Sequence, residues 1–141
     1  MVVIIDATDL IVGRLATYAA KQALLGNEVR VINSEKAVFS GRKENTFAAF
    51  QEKRTMGTPR KGPFIHRMPE RILRRSIKVM LPHKKPRGRV ALKKILCYIG
   101  VPDEFKDKKP VMIEGASMSK LPNLKFVSLL NLSRRLGAKI E

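Results

Sequence analysis

The first 33 residues constrain the fold most strongly, because they hold two short apolar runs separated by a helix-length segment. The first run, "VVIID", shows no polar alternation, which is typical of a strand covered on both faces in a parallel sheet. The second run, "EVRVIN" at 28–33, is rich in β-branched residues. A strand, a helix and a strand in this order predict a βαβ unit with a right-handed crossover. We therefore expect an α/β domain built on a parallel sheet.

The segment between these runs predicts an amphipathic helix. Its apolar stripe consists of Val12, Leu15, Ala16, Ala19 and Ala23. Thr8 or Asp9 would cap the start of this helix, and Gly26 would end it. The run "AVFS" at 37–40 offers a third short strand.

The rest of the chain alternates between helical and irregular patterns. Residues 41–54 predict a helix, and the glycines and prolines of 55–69 predict an irregular segment. A further helix should run from Pro69 to near Pro82. After a turn at "HKKPRGR", the stretch "VALKKILCYIG" predicts a short helix and a strand at about 95–99, and a last helix is expected at about 122–136. At 141 residues, the chain is expected to be one domain, 1–141.

Positive charge is concentrated in residues 53–94, which we call the basic region. The chain carries +17, of which this region supplies +14 through 15 Lys or Arg and a single acid, Glu70. A solvated surface would mix both signs, whereas one-sided charge is self-repelling unless a polyanion neutralises it. The pattern predicts a polyanionic partner that binds this region.

The helix that begins at Pro69 separates its charges from its apolar residues. Its apolar face consists of Pro69, Ile72, Leu73, Ser76, Ile77 and Met80. Its opposite face consists of Arg71, Arg74, Arg75 and Lys78. An ordinary surface helix is the alternative interpretation, but such helices interleave acids for i,i+4 support. Arginine also suits phosphate, because its planar fork donates two parallel hydrogen bonds.

The loops on both sides of this helix extend the cationic surface. They contribute Arg60, Lys61, Arg67, Lys84, Lys85, Arg87 and Arg89. Their glycines and prolines allow close backbone approach, which favours an irregularly folded RNA. Readers of duplex DNA would present a recognition helix, and readers of single strands would present several aromatics. Here Phe64 is the lone aromatic of the basic stretch, and the chain has no Trp.

The sequence offers no catalytic or metal site. His66 and His83 lack Cys, Asp or Glu partners at ligand spacing, so we expect them to donate hydrogen bonds to RNA or to backbone. Cys97 lies in an apolar run and is expected to be a buried small hydrophobe. Asp6 and Glu35 are better explained as turn-forming carboxylates than as an acid–base pair. No metal, cofactor or small-molecule substrate is expected.

Two alternatives to an RNA-binding protein remain weaker. A small nucleotide-binding enzyme with a βαβ core would need a phosphate-binding loop, and "DATDLIVGRLA" has only one glycine. A basic amphipathic segment on an anionic membrane does not explain the polar loops beside the helix. The five apolar residues at the start are too few for a signal peptide and lack its basic flank, so a cytosolic protein is expected.

Four motifs together resemble a known family. They read "VGRLATYAAKQALLG", "VRVINSEKAVFSGRK", "RKGPFIHRMPERILRRSIKVMLPHKKPRGRVAL" and "YIGVPDEF". In order and spacing they resemble the large-subunit ribosomal protein family numbered thirteen in the universal nomenclature, in its archaeal and eukaryotic branch and most closely in archaeal form. The resemblance covers 3–105 and is weaker after Lys106.

This resemblance implies a fold, a role and a set of partners. The fold would be a three-layer α/β/α single domain with a small, mostly parallel four-stranded sheet and a basic helix-plus-loop extension. The role would be structural, namely to bind and organise large-subunit ribosomal RNA during assembly, beside neighbouring large-subunit ribosomal proteins in the cytoplasm. Matched by motif, the RNA-binding positions would be Arg42, Lys43, Arg60, Lys61, Arg67, Arg71, Arg74, Arg75, Lys84, Lys85, Arg87 and Arg89. The residue patterns add His66, Lys78 and His83 to this set.

Overall fold

The computed structural model describes residues 1–140. Its helices are α1 (Val12–Leu24), α2 (Lys43–Thr55), α3 (Pro69–Met80), α4 (Pro86–Lys93) and α5 (Leu129–Arg135). Its strands are β1 (Val2–Asp6), β2 (Glu28–Ile32), β3 (Val38–Ser40), β4 (Ile95–Cys97) and β5 (Phe126–Ser128). The predicted α/β class is confirmed, and the irregular segment between α2 and α3 is present as expected.

The main sheet is parallel and has the strand order β1-β2-β4. Val3 lies opposite Val29, and Val31 lies opposite Cys97. Because α1 connects the parallel neighbours β1 and β2, the predicted βαβ unit is confirmed. Buried side chains of α1, α3 and α5 form one core with the sheet face that carries Val3 and Val29.

The sheet differs from the four-stranded expectation in one respect. β3 does not join the parallel strands but pairs antiparallel with β5, with Val38 opposite Ser128. The prediction of a helix from 122 was wrong, since α5 begins only at Leu129, where the Ser128 hydroxyl accepts a hydrogen bond from the Asn131 amide at 3.3 Å. The β-forming residues 126–128 gain ladder hydrogen bonds from β3, a long-range contact that local helical pattern does not reveal.

The layers also differ from the expected α/β/α arrangement. On the second face of the sheet, Ile4 and Ile32 pack with Phe105 and Tyr98. The two aromatic rings lie 5.7 Å apart between centroids. The turn at Asp103–Phe105 therefore occupies the position where a third, helical layer was expected.

The start of α1 corrects a second expectation. Neither Thr8 nor Asp9 caps the helix, which begins after Ile11 without a side-chain cap. Leu10 and Ile11 instead form bridges to Ser117 and Val38, so the chain stays extended up to Val12. At the other end, Gly26 adopts a left-handed φ of 98° and stops the helix as predicted.

α4 begins at Pro86, within the stretch expected to be a turn, and its first turn contains the buried Gly88. A Cβ atom on Gly88 would lie 2.2 Å from the Pro82 carbonyl oxygen and 2.8 Å from the His83 nitrogen. Only a glycine therefore allows α4 to pack under the turn that carries His83, Lys84 and Lys85.

The Gly88→Ala substitution is expected to lower the free energy of unfolding by about 1–3 kcal/mol, because the added methyl group meets main-chain atoms that cannot rotate away. Urea unfolding followed by circular dichroism measures this change. Gly13→Ala is the matched control, since Gly13 lies in α1 with nothing within 4 Å of its Cβ position. This control should be neutral or stabilising by up to about 1 kcal/mol. Equal stability of the two variants would contradict the close packing of α4 under the turn.

Candidate nucleic-acid interface

The two faces of α3 are segregated as the sequence predicts. Pro69, Ile72, Leu73 and Ile77 are buried in the core, Ser76 is half-buried, and Met80 at the end of the helix is 44% exposed. The four cations Arg71, Arg74, Arg75 and Lys78 are all exposed. The apolar stripe thus fixes a rigid helix whose charged face points to solvent.

An open groove of about 660 Å³ runs along this charged face. The residues that line it are His66, Arg71, Arg74, Arg75, Lys78, Val79, His83 and Leu92. The structure therefore places the two histidines, which are 17 positions apart in the sequence, in the same groove as the four cations. We call these eight residues the α3 groove.

A smaller pocket of about 190 Å³ adjoins the α3 groove and shares His66, Arg75 and Val79 with it. Its other wall includes Phe50 and Lys53 from the end of α2. The Lys53 ammonium lies 5.4 Å from the centroid of the Phe50 ring, a cation–π distance. Lys53 was not among the predicted site residues, although its position in the basic region could have indicated that it belongs to the site.

Hydrogen bonds to main-chain carbonyls orient two of the groove arginines. Arg74 Nη2 donates to Leu92 O at 3.3 Å, and Arg75 Nη1 donates to Phe64 O at 3.5 Å. These contacts fix the guanidinium groups without neutralising them. Each arginine keeps further N–H donors for another acceptor.

Carboxylates do not neutralise this surface. Within residues 1–140, Arg71 is the only predicted site residue within 4.0 Å of a carboxylate, and that partner is its neighbour Glu70. The other ion pairs of this part of the chain join Arg30 to Glu28 and Lys106 to Asp103. The positive charge of the basic region therefore remains available to an external anion.

Arg60 and Lys61 lie at the tip of a small turn in the irregular segment. Gly62 N donates to Thr58 O at 2.9 Å and closes this turn. Gly57 has a φ of 76°, and a Cβ there would lie 1.9 Å from Gly62 O. The turn therefore depends on this glycine, and it presents two exposed cations at its end.

Other predicted residues lie outside the α3 groove. Arg42 and Lys43, at the start of α2, line a separate depression of about 430 Å³. The 13 residues of α2 span roughly 20 Å, which separates these two cations from the end of α2 near the groove. Lys125 lines the same depression, and sequence reasoning missed it because β5 was not predicted.

The remaining cations are distributed around the ends of α3 and α4. Arg67 Nη1 lies 3.6 Å from the Cβ position of Gly137, beside the end of α5. Arg87 lines a pocket with Lys21 and Met80 against α1. Lys84, Lys85 and Arg89 are exposed in and after the turn at 82–85. The predicted set is thus one groove with several outlying cations.

The two histidines differ in their surroundings. His66 is exposed and lines both the α3 groove and the smaller pocket. His83 is half-buried, and its Nδ1 lies 3.3 Å from Leu81 O, within hydrogen-bond distance. A main-chain hydrogen bond, one of the two expected roles, is therefore present for His83.

Asp6 forms a turn, as expected, whereas Glu35 makes a long-range hydrogen bond instead. Asp6 Oδ1 accepts hydrogen bonds from Thr8 and from Asn33 Nδ2, while Glu35 Oε2 accepts from Gly100 N at 3.1 Å. Partial burial raises the pKa of Asp6, but these hydrogen bonds outweigh that effect and hold the pKa below the usual 3.8. Asp6 is thus an ionised structural group.

Among residues 1–140, no three His, Cys, Asp or Glu side chains come together in a way that could hold a metal ion. No helix in that part of the chain combines the length and the apolar character that crossing a membrane requires.

Cys97 lies on β4 next to the core. Burial is the main cause that raises the pKa of its thiol to about 12; the charge of Arg74 lowers this pKa and that of Glu70 raises it, both by smaller amounts. Because the thiolate is the reactive form, alkylation of the folded protein at pH 8 should be about three orders of magnitude slower than that of a free thiol. Iodoacetamide labelling followed by mass spectrometry measures this rate, and urea should restore it. Rapid labelling of the folded protein would contradict the assigned environment.

Comparison with known proteins shows which family this sequence matches. The family model described as ribosomal protein L13 matches residues 1–104. The large ribosomal subunit protein uL13 of Methanococcoides burtonii is 45% identical over 136 residues, which cover 96% of this chain and 98% of that protein.

Two further archaeal relatives carry the same name. The protein of Methanosarcina barkeri is 42% identical and covers 96% of this chain and 98% of its own length. The protein of Haloarcula marismortui is 41% identical, and the match covers 96% of this chain and 91% of that protein. The resemblance that the four sequence motifs indicated is confirmed, and the chain belongs to the ribosomal protein L13 family.

Proposed function

We propose that this protein is a structural constituent of the large ribosomal subunit that binds and organises large-subunit ribosomal RNA during assembly. The observation that carries the proposal is the α3 groove, where four exposed cations on one rigid helix face solvent and only Arg71 has a carboxylate, that of Glu70, within 4.0 Å. Family membership supports the same role, which is structural rather than enzymatic.

The proposed mechanism is neutralisation of phosphates on a surface of fixed shape. Arg71 lies one turn of α3 before Arg74 and Arg75, so the three side chains can reach successive phosphates of a folded strand. The tip of the 58–62 turn and the turn at 82–85 add Arg60, Lys61, Lys84 and Lys85 beyond the helix. Because the core holds α3 in place, little ordering entropy is lost on binding.

Arg42, Lys43 and Lys125 form a second, separate group of cations at the start of α2. We propose that this group contacts a different part of the same RNA, since a distance of roughly 20 Å exceeds the spacing of adjacent phosphates along a strand. Neighbouring ribosomal proteins are the second class of partner. Met112 and Leu124, 88% and 90% exposed, are apolar side chains outside the basic region that such proteins could cover.

A nucleotide-binding enzyme is disfavoured by the connection between β1 and α1, where a phosphate would bind. The amides of Thr8, Leu10 and Ile11 already donate to Asp6, Ala7 and Ala116. The Asp6 carboxylate would also repel a phosphate placed there.

Cosedimentation tests the proposal. The purified protein should sediment with archaeal large subunits reconstituted from ribosomal RNA and the other subunit proteins, in a stoichiometric amount that a high-salt wash reduces. Thermal unfolding with ribosomal RNA or with ATP and GTP distinguishes this role from that of a nucleotide-binding enzyme. Stabilisation by RNA is expected, whereas stabilisation by a nucleotide alone would overturn the assignment.

A further inference from the structure

Phe64 is an aromatic residue that charge neutralisation leaves without a role. Its side chain is 68% exposed, although burying a phenyl ring is favourable. It is also the only aromatic residue of the basic region. An exposed ring flanked by basic residues needs a partner that offers both an apolar face and negative charge.

The ring is held in a defined position. A Cβ atom on Gly62 would lie 3.1 Å from Cδ2 and Cε2 of Phe64, so the ring rests against the Gly62 backbone. The main chain of the same residue is anchored from α3, because Arg75 Nη1 donates to Phe64 O at 3.5 Å. Gly62 itself has a φ of 84°, a conformation that glycine adopts easily. The remaining ring surface faces solvent.

Exposed basic residues flank this ring along the chain. Arg60 and Lys61 precede it, Arg67 follows it, and the exposed His66 lies between the ring and Arg67. RNA matches such a surface, since an unpaired base can stack on the ring while the flanking phosphates contact the cations. An apolar protein segment would cover the ring but would leave the surrounding positive charge without partners.

We propose that Phe64 is a stacking platform for one unpaired nucleobase of the bound RNA, with Arg75 positioning it from α3. This inference rests on the proposed function, because it specifies which part of the RNA that surface takes. Stacking of a base on an aromatic ring adds binding free energy whatever the base, because every base has a π-face. The site therefore selects an unpaired, extruded nucleotide rather than a particular base.

Fluorescence gives a direct test, because the chain contains no Trp. In the Phe64→Trp variant, titration with archaeal large-subunit ribosomal RNA should quench the indole emission as a base stacks on it. Met112→Trp is the matched control, being 88% exposed outside both the basic region and the depression of Arg42, Lys43 and Lys125, and its emission should change little. Phe64→Ala should weaken binding of this RNA by about 5- to 150-fold, whereas Phe64→Tyr should retain it.

Phe64→Leu separates stacking from simple apolar contact, since leucine keeps bulk without a π-face. Affinity of Phe64→Leu close to that of Phe64→Ala supports stacking, and affinity equal to wild type overturns it. Unchanged RNA affinity of Phe64→Ala together with poor incorporation into the subunit would assign the ring to a protein neighbour and overturn the inference. In both overturning cases the wild type still binds the RNA and the proposed function stands. Absence of RNA binding by the wild type would overturn both.

Discussion

Replacing Arg71, Arg75 and Lys78 together by glutamate is expected to abolish stable incorporation into the large subunit without unfolding the protein. All three side chains are exposed on the face of α3 opposite the buried stripe. Each loses a charge-assisted hydrogen bond worth about 1.5–3 kcal/mol and gains repulsion from phosphate. Affinity for ribosomal RNA should therefore fall by at least about three orders of magnitude, as measured by filter binding.

The same variant should keep its stability. Arg74 would gain opposite charges at positions 71 and 78, whereas it now has like-charged neighbours there. The free energy of unfolding of the triple variant should thus match that of the wild type within about 1 kcal/mol, as determined by urea unfolding. This result would separate loss of binding from loss of fold.

A matched control variant reverses the charge of three lysines outside the basic region. Lys106, Lys108 and Lys109 are exposed beside the turn that covers the second face of the sheet. Their replacement by glutamate changes the net charge equally, but it should leave incorporation nearly normal. Normal incorporation of the α3 variant would contradict the location of the interface, and equal loss in both variants would show that total charge alone matters.

Binding of ribosomal RNA should weaken steeply with salt. If about 6–10 phosphates are contacted, raising monovalent salt from 50 to 200 mM should lower the affinity by about three to five orders of magnitude, because bound cations displace condensed counterions. The α3 groove and the adjacent turns supply enough unpaired cations for this number of phosphates.

Equilibrium titrations of a labelled large-subunit RNA at four or more salt concentrations measure this slope. The α3 charge-reversal variant should show a shallower slope, by roughly one for each phosphate that the protein no longer neutralises. A change of less than tenfold across this range would indicate that apolar or protein contacts dominate, against the proposed mechanism.

The periodicity of apolar residues predicted the helices and strands whose formation depends on neighbouring residues in the sequence. The apolar runs and the stripe of α1 revealed the βαβ unit, because strand and helix periods differ clearly. The same periodicity located both faces of α3 and its bounds to within about two residues, since the helix begins at Pro69 as predicted and ends at Met80 rather than near Pro82. Here the apolar stripe is also what buries the helix, so pattern and tertiary structure agree.

Long-range pairing explains the errors. The segment 122–136 contains residues compatible with a helix, but 126–128 pair with β3 more than 80 positions earlier. Likewise, Leu10 and Ile11 bridge to Ser117 and Val38, which delays the start of α1 and leaves the predicted caps in a turn. No local signal marks either contact.

The site was predictable in its chemistry more than in its shape. Charge segregation identified the cations of α3, since one helix places them on one face. The meeting of His66, His83 and Leu92 in the α3 groove depends on how two irregular segments and α4 pack around that helix. Lys125 joined Arg42 and Lys43 only through the unpredicted strand β5.

Ultraviolet crosslinking of intact archaeal large subunits, followed by mass spectrometry of the peptides of this protein, tests most directly whether RNA lies on the basic surface. Nucleotide adducts are expected on peptides from 60–89, including Phe64 and the α3 cations, with few on peptides from 103–115. Adducts confined to 103–115, with the α3 peptides free of RNA, would refute an RNA interface on α3.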